Sequence, residues 1–186
     1  MTTRDRIIDA ATRLLDEGGA AAVTLRAVGD RVGLSRAAPY KHFTGKTDLL
    51  ASVAAAELDR LADAMRTAAE SADGGQAGRV EAAAVAYVRW ARSRPTRFHL
   101  VFGAWGEEPH EALGRSADAA SELLYGLVRD AVADGALTGD ADRLAPMIWS
   151  LGHGAVDLDL AGHLDKKPGA PSAEQLVADL VHLVRP

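Results

Sequence analysis

At 186 residues the chain can hold one medium domain, or a small head on a larger body. It is rich in alanine, with three Phe, three Trp and three Tyr, which disfavours a sheet protein. The absence of cysteine excludes disulfide and thiolate chemistry and makes a reducing cytoplasm the expected compartment, and with polar first residues and no apolar run near membrane length, neither a leader nor a membrane span is expected. The net charge of −5 is unevenly spread: residues 1–50 hold eight Lys/Arg against six Asp/Glu (+2), and residues 51–186 hold thirteen against twenty (−7). A mildly basic head on an acidic body would confine contact with a polyanion to the head.

In chain order, residues 3–17 form an amphipathic helix on Ile7, Ile8, Ala11, Leu14 and Leu15, capped by Thr2 or Thr3 and ended by Gly18-Gly19. Arg4 at its start is within reach of a phosphate. The stretch from Thr24 to Phe43, followed by Lys46, then reads as helix, tight turn, helix. Thr24 is an N-cap, Leu25, Val28 and Val32 share one face, and Gly33 supplies a left-handed helix end. Ser35 caps the second helix, which carries Arg36, Ala37, Tyr40, Lys41 and His42. Such a unit braces one helix so that the next can enter the major groove. Tyr40, Lys41, His42, Lys46 and the amides behind Ser35 suit phosphates; Arg36, Ala37 and Lys41 suit base edges. Phe43 is expected to turn inward and lock the second helix to the first.

From Lys46 a helix is expected to run to about Ala69 on Leu49, Leu50, Val53, Leu58, Leu61 and Met65, connecting head and body. A loop follows at 71–78, then a helix at 79–93 and a short helix opened by Pro95. Tyr87, Trp90, Phe98, Phe102 and Trp105 crowd into nineteen positions. They either fill the core of an alanine-rich body or, with Tyr125, Met147, Trp149 and His153, line an apolar cavity between helices. Glu107-Glu108 reads as a solvated turn. Further helices are expected at 109–134, from Asp140 or Asp142 to about Leu164, and after Ser172. Gly152, Gly154 and Ala155 would permit a close helix approach. The wide apolar stripes of the last two helices, with Leu151, Val156, Leu160, Leu176, Leu180 and Leu183, suggest a four-helix dimer interface. His153, Asp157 and His163 do not make a metal set, and no cofactor is expected. No nucleophile elbow or phosphate-binding glycine loop is present.

The pattern Thr24-Leu-Arg-x-Val, Gly33-Leu-Ser, Tyr40-Lys-His-Phe-x-x-Lys46 resembles the DNA-binding domain of the TetR (tetracycline-repressor-like) family over about residues 4–50, and Trp149-x-x-x-His-Gly154 resembles a Trp-His-Gly pattern in one of its C-terminal subfamilies. The resemblance implies an all-α protein of about nine helices: a three-helix helix-turn-helix head (1–48) and a helical ligand-binding and dimerisation body (49–186). It further implies a homodimeric repressor that binds a pseudo-palindromic double-stranded operator and is released by a small apolar or amphipathic effector. The competing readings are a ligand-independent architectural DNA-binding protein and, more remotely, a helical enzyme. Two positions depart from the pattern. Gly29 replaces a more usual alanine, at a helix cost of roughly 1 kcal/mol. Pro39 replaces an aliphatic residue, removes an amide and disfavours helical geometry at Ala38, so the recognition helix is expected to begin as a looser turn.

Overall fold

The computed structural model describes residues 1–106, 110–164 and 166–186. Eight α-helices and one short 3-10 turn account for the regular structure of these residues, and no strand occurs among them: α1 (Thr3–Ala22), α2 (Leu25–Arg31), the 3-10 turn Pro39–Lys41, α3 (Lys46–Glu70), α4 (Gly75–Ser93), α5 (Pro95–Val101), α6 (Glu111–Ala133), α7 (Ala141–Leu160) and α8 (Ala173–Leu183). The chain is therefore all-α. None of its described helices is long and apolar enough to cross a membrane.

Two compact units are formed, Met1–Asp59 with Arg94–Asp118, and Arg60–Ser93 with Ala119–Pro186. The first is built on α1. Thr2 accepts from the Asp5 amide while the Asp5 carboxylate accepts from the Thr2 amide, a reciprocal cap. The regular part of α1 stops where expected, since Gly19 takes φ +66°. Ile7, Ile8, Ala11 and Leu15 of α1 meet Leu25 and Val28 of α2, Leu49 and Val53 of α3, and Phe43, which is 2% exposed. Thr24 caps α2 by accepting from the Ala27 amide at 3.0 Å. The end of α2 is a left-handed closure: Gly33 has φ +68° and Leu34 donates to the Gly29 carbonyl at 2.9 Å.

The second unit is organised around α4, α7 and α8, each packed on the other two. The expected loop at 71–78 is shorter than the turn-forming residues suggest, because α4 already begins at Gly75. Its start is so close-packed that a Cβ at Gly78 would lie 2.0 Å from the Asp73 carbonyl oxygen. Close approach of α7 holds at Gly152, where a Cβ would reach Val177 at 3.4 Å, Tyr87 at 3.5 Å and Val88 at 3.6 Å, but not at Gly154, which faces open space. Asp140 caps α7 through the Asp142 amide. That helix ends at Leu160, four residues before Leu164, because Gly162 turns left-handed and His163 donates to the Leu158 carbonyl at 2.7 Å. Ser172 and Gln175 form the reciprocal cap of α8. The predicted start of α6 at residue 109 and the Glu107-Glu108 turn lie outside the described residues.

Candidate nucleic-acid interface

The segment after α2 differs from the expected second α-helix. A helix opened by Ser35 would need an amide at residue 39 to donate back to residue 35, and Pro39 has none. Instead Ala38 donates to the Ser35 carbonyl at 3.0 Å, Lys41 to Ala38 at 3.2 Å and His42 to Pro39 at 3.0 Å, an i→i+3 pattern. One α-type bond survives, from Phe43 to Pro39 at 3.0 Å. The Ser35 hydroxyl does not cap this turn; its cap position is Ala38, which makes no side-chain cap bond. The restriction expected at Ala38 is also absent, since its φ −62° and ψ −43° are helical. Irregularity therefore comes from the missing amide alone.

The two departures from the family pattern meet. A Cβ on Gly29 would lie 3.2 Å from Pro39 Cγ, and Pro39 is buried. The pyrrolidine ring occupies the space that glycine leaves, which seats the 3-10 turn on α2. Gly29→Ala alone is expected to lower stability by about 1 kcal/mol, because overpacking against Pro39 outweighs the gain in helix propensity. In a Pro39→Ala background the same change should be stabilising by a similar amount. A double-mutant cycle in urea checks this, and additive effects would show that the two residues do not interlock.

Pro39 and Phe43 face inward, so the residues between them face out. Arg4, Thr24, Ser35, Arg36, Ala37, Tyr40, Lys41, His42 and Lys46 all lie in the first unit and all are exposed, Tyr40 by 62%. Thr24 is committed to its cap. Arg4 is held from within, its guanidinium donating to Ser52 Oγ at 2.9 Å and lying 5.2 Å from the Phe43 ring centroid. Lys46 is the first residue of α3, whose opening is fixed by Asp48 accepting from the Thr44 amide at 2.8 Å. The outcome is a short projecting turn with a phenol, an ammonium and an imidazole in sequence, flanked by Arg36 and Lys46.

Below this surface the same unit holds a charge network that no motif marks. Glu57 of α3 is completely buried. Arg97 of α5 reaches both its carboxylate oxygens at 3.2 Å, and grips Asp16 of α1 with Nε at 3.0 Å and Nη2 at 2.7 Å. The hydrogen bond to Asp16 raises the Arg97 pKa above its ordinary value, burial opposes this, and the charges of Glu57 and Asp16 add to it. The signal available in sequence is an acid at 57 inside the apolar stripe of Val53, Leu58 and Leu61.

The candidate cavity residues divide between the units. Phe98, Phe102 and Trp105 belong to the first, with Phe98 buried and the other two half-buried. Tyr87, Trp90, Tyr125, Met147, Trp149 and His153 belong to the second. Tyr87 and Trp90 are buried, Tyr125 and His153 half-buried, and Met147 and Trp149 are 53% and 43% exposed. The Tyr87 hydroxyl and His153 Nδ1 are 2.9 Å apart, and His153 Nε2 lies 3.7 Å from Asp157. Burial pushes the Tyr87 hydroxyl well above the ordinary phenol range. His163 has left the helix that carries His153, and no group of three or more His, Asp or Glu side chains among the described residues is placed to hold a metal ion. Of the candidate dimer residues, Val156 is enclosed by its own chain, Leu151, Leu160, Leu176 and Leu180 are half-buried, and Leu183 is 81% exposed.

An all-helical chain with a capped α2, a glycine-closed turn and a short basic projecting element defines a helix-turn-helix regulator. Similarity to known proteins gives the family. Residues 7–53 match the model of bacterial regulatory proteins of the tetR family, and residues 80–183 match that of the tetracyclin repressor-like C-terminal domain. The chain belongs to the TetR family of transcriptional regulators, which are DNA-binding proteins and not enzymes. It is 30% identical over 149 residues to the HTH-type transcriptional regulator Rv1816 of Mycobacterium tuberculosis, a match covering 78% of this chain and 63% of that one. The chain thus spans less than two thirds of the curated relatives it matches. A protein of unknown function from Rhodococcus sp. RHA1 superposes with a TM-score of 0.85 at 28% identity, covering 100% of this chain and 97% of that one. The TetR family regulator PfmR from Thermus thermophilus shares the fold, with a TM-score of 0.65 at 23% identity over 96% of each chain.

Proposed function

We propose that the chain is a ligand-responsive repressor that binds a pseudo-palindromic DNA operator as a homodimer. The observation that carries this reading is the exposed turn Tyr40–His42 with Arg36 and Lys46, anchored inward by Pro39 and Phe43. It offers the right donors to a major groove on a rigid base. Dimerisation is supported by a stripe on α7, in which Met147, Leu151, Gly154 and Leu158 recur at helical spacing, and by Leu176, Leu180 and Leu183 on α8. Met147, Leu158 and Leu183 are about half or more exposed in the single chain, an arrangement that favours burial against a second copy. Val156 is not part of this stripe.

An effector site within the second unit is supported by the Trp90 indole N–H, buried and with no acceptor among the described residues. Buried donors are nearly always paired, so this atom suits an acceptor on a small molecule. A ligand that prefers a conformation with misplaced heads would lower operator affinity by no more than that preference.

Fluorescence anisotropy on fragments of the upstream region of its own gene, across a salt series, tests the reading. Tight binding to one fragment by two protomers with a steep salt slope is expected. Sedimentation should give a dimer, and Leu183→Asp with Leu158→Asp should give a folded monomer with much weaker operator binding. A monomeric parent with full operator affinity would sink the dimeric part.

A further inference from the structure

The head unit contains a cleft of about 420 Å³ between the end of α1, the start of α3, and α5 with the segment that follows it. We propose that this cleft binds a small apolar carboxylic acid of one or two rings, with Lys46 and His99 as its anchors. Its volume falls in the range of small-molecule sites. Leu15, Leu50, Leu100 and Trp105 form apolar walls, and the first two belong to the packed core of the unit. Trp105 is pinned as a flat wall, its indole N–H donating to the Val101 carbonyl at 3.3 Å and its ring meeting His110 edge-on at 5.6 Å.

The polar lining is one-sided. Lys46, Thr47, Thr96 and His99 supply an ammonium, two hydroxyls and an imidazole, and among the described residues no Asp or Glu lines the cleft. Asp48, two residues from Lys46, is turned to the Thr44 amide and hydroxyl. Among the described residues no carboxylate pairs with Lys46. A cation is therefore disfavoured, a neutral apolar molecule leaves the exposed ammonium with water as its only partner, and a monoanion on an apolar body engages both halves. The cleft belongs to the first unit and Trp90 to the other.

The consequence for DNA rests on the regulator reading, whereas the binding does not. Lys46 is the ammonium assigned above to an operator phosphate. A carboxylate in the cleft takes up that charge, so an occupied cleft and a phosphate contact compete for one side chain.

Calorimetry on the full chain with indole-3-acetate, and with indole-3-acetamide as the neutral isostere, tests the site. One acid per chain is expected, binding about tenfold more tightly than the amide. Ala104→Trp, which fills the cleft from its rim, should abolish binding, and His99→Leu should weaken it severalfold, both with the parent's melting curve. Indole-3-acetate should weaken operator binding by the parent and not by Ala104→Trp. Equal affinity for acid and amide overturns the proposal, as do unchanged binding in Ala104→Trp or no saturable binding of indole-3-acetate or benzoate at millimolar concentration. Acid binding as described without any change in DNA affinity supports the site and overturns the competition for Lys46. A chain that binds the acid but no DNA at all supports the site and counts against the regulator reading.

Discussion

Replacing Arg97 with methionine is expected to lower the unfolding midpoint by about 10 °C. The change deletes the guanidinium that reaches both oxygens of the Glu57 carboxylate, a group with no exposed surface. Removing one partner of a buried pair costs about 3–5 kcal/mol, because the remaining charge stays desolvated. For a chain of this size each kcal/mol corresponds to about 2–4 °C. Asp16 makes the shorter contacts with Arg97, yet it is 41% exposed, so Asp16→Asn should cost less than about 1 kcal/mol. Distance and energetic weight thus run in opposite directions around one arginine. Arg97→Met combined with Glu57→Leu should recover most of the loss, since an apolar pair of similar volume carries no desolvation penalty. Thermal melts of the four proteins check this. If Arg97→Met and Asp16→Asn melt alike, Glu57 does not depend on Arg97.

The network also shows why the sequence is legible to different depths. Helix ends are local, and Thr24, Gly33, Asp140 and Ser172 all act as their residue types dictate. Amphipathic periods are local too, so the helices of the chain and the inward turn of Phe43 follow from spacing. Partnerships between distant positions are not local. Gly29 and Pro39 each look like a defect when read alone, and their fit appears only when α2 and the following turn are placed together. The missing amide of Pro39 is readable and does loosen the segment. That Ala38 keeps helical dihedrals is not readable, because the restriction before proline is a bias that the surrounding packing overrides. The α7 terminus at Leu160 escapes the period-based reading although Gly162 stands in the sequence, since apolar Leu164 continues the period beyond it.

For the aromatic residues one dimension fails for another reason. A ring that fills a core and a ring that lines a cavity have the same composition and spacing. Burial separates Tyr87, Trp90 and Phe98 from the exposed Met147 and Trp149. The division of these side chains between two units depends on α5 returning to the head after α4, a feature of topology without a sequence motif. The head motif, by contrast, combines caps, a left-handed glycine and an outward polar face within about twenty consecutive residues, which is why it is the most readable part of the chain.

Arg36→Ala is expected to lower affinity for the operator by about 1–3 kcal/mol and to leave binding to random DNA nearly unchanged, while Tyr40→Phe and Lys46→Ala should weaken binding to both. The distinction follows from where the three side chains sit. Arg36 projects from the turn before Pro39 and carries a planar fork that pairs with a guanine edge. Tyr40, with 62% of its surface exposed, offers a single hydroxyl, and Lys46 offers a point charge at the start of the next helix; both suit phosphates. Loss of the Lys46 charge should also reduce the salt slope by about 1, whereas Tyr40→Phe should leave the slope intact, since no ion is lost. A 3-10 turn presents fewer consecutive residues to a groove than an α-helix, which places more of the sequence preference on Arg36 than a longer recognition helix would. Anisotropy on operator and random duplexes over a salt series separates these outcomes. Equal losses on both duplexes for Arg36→Ala would remove its base-reading role and shift the source of specificity to Lys41 or to the shape of the DNA.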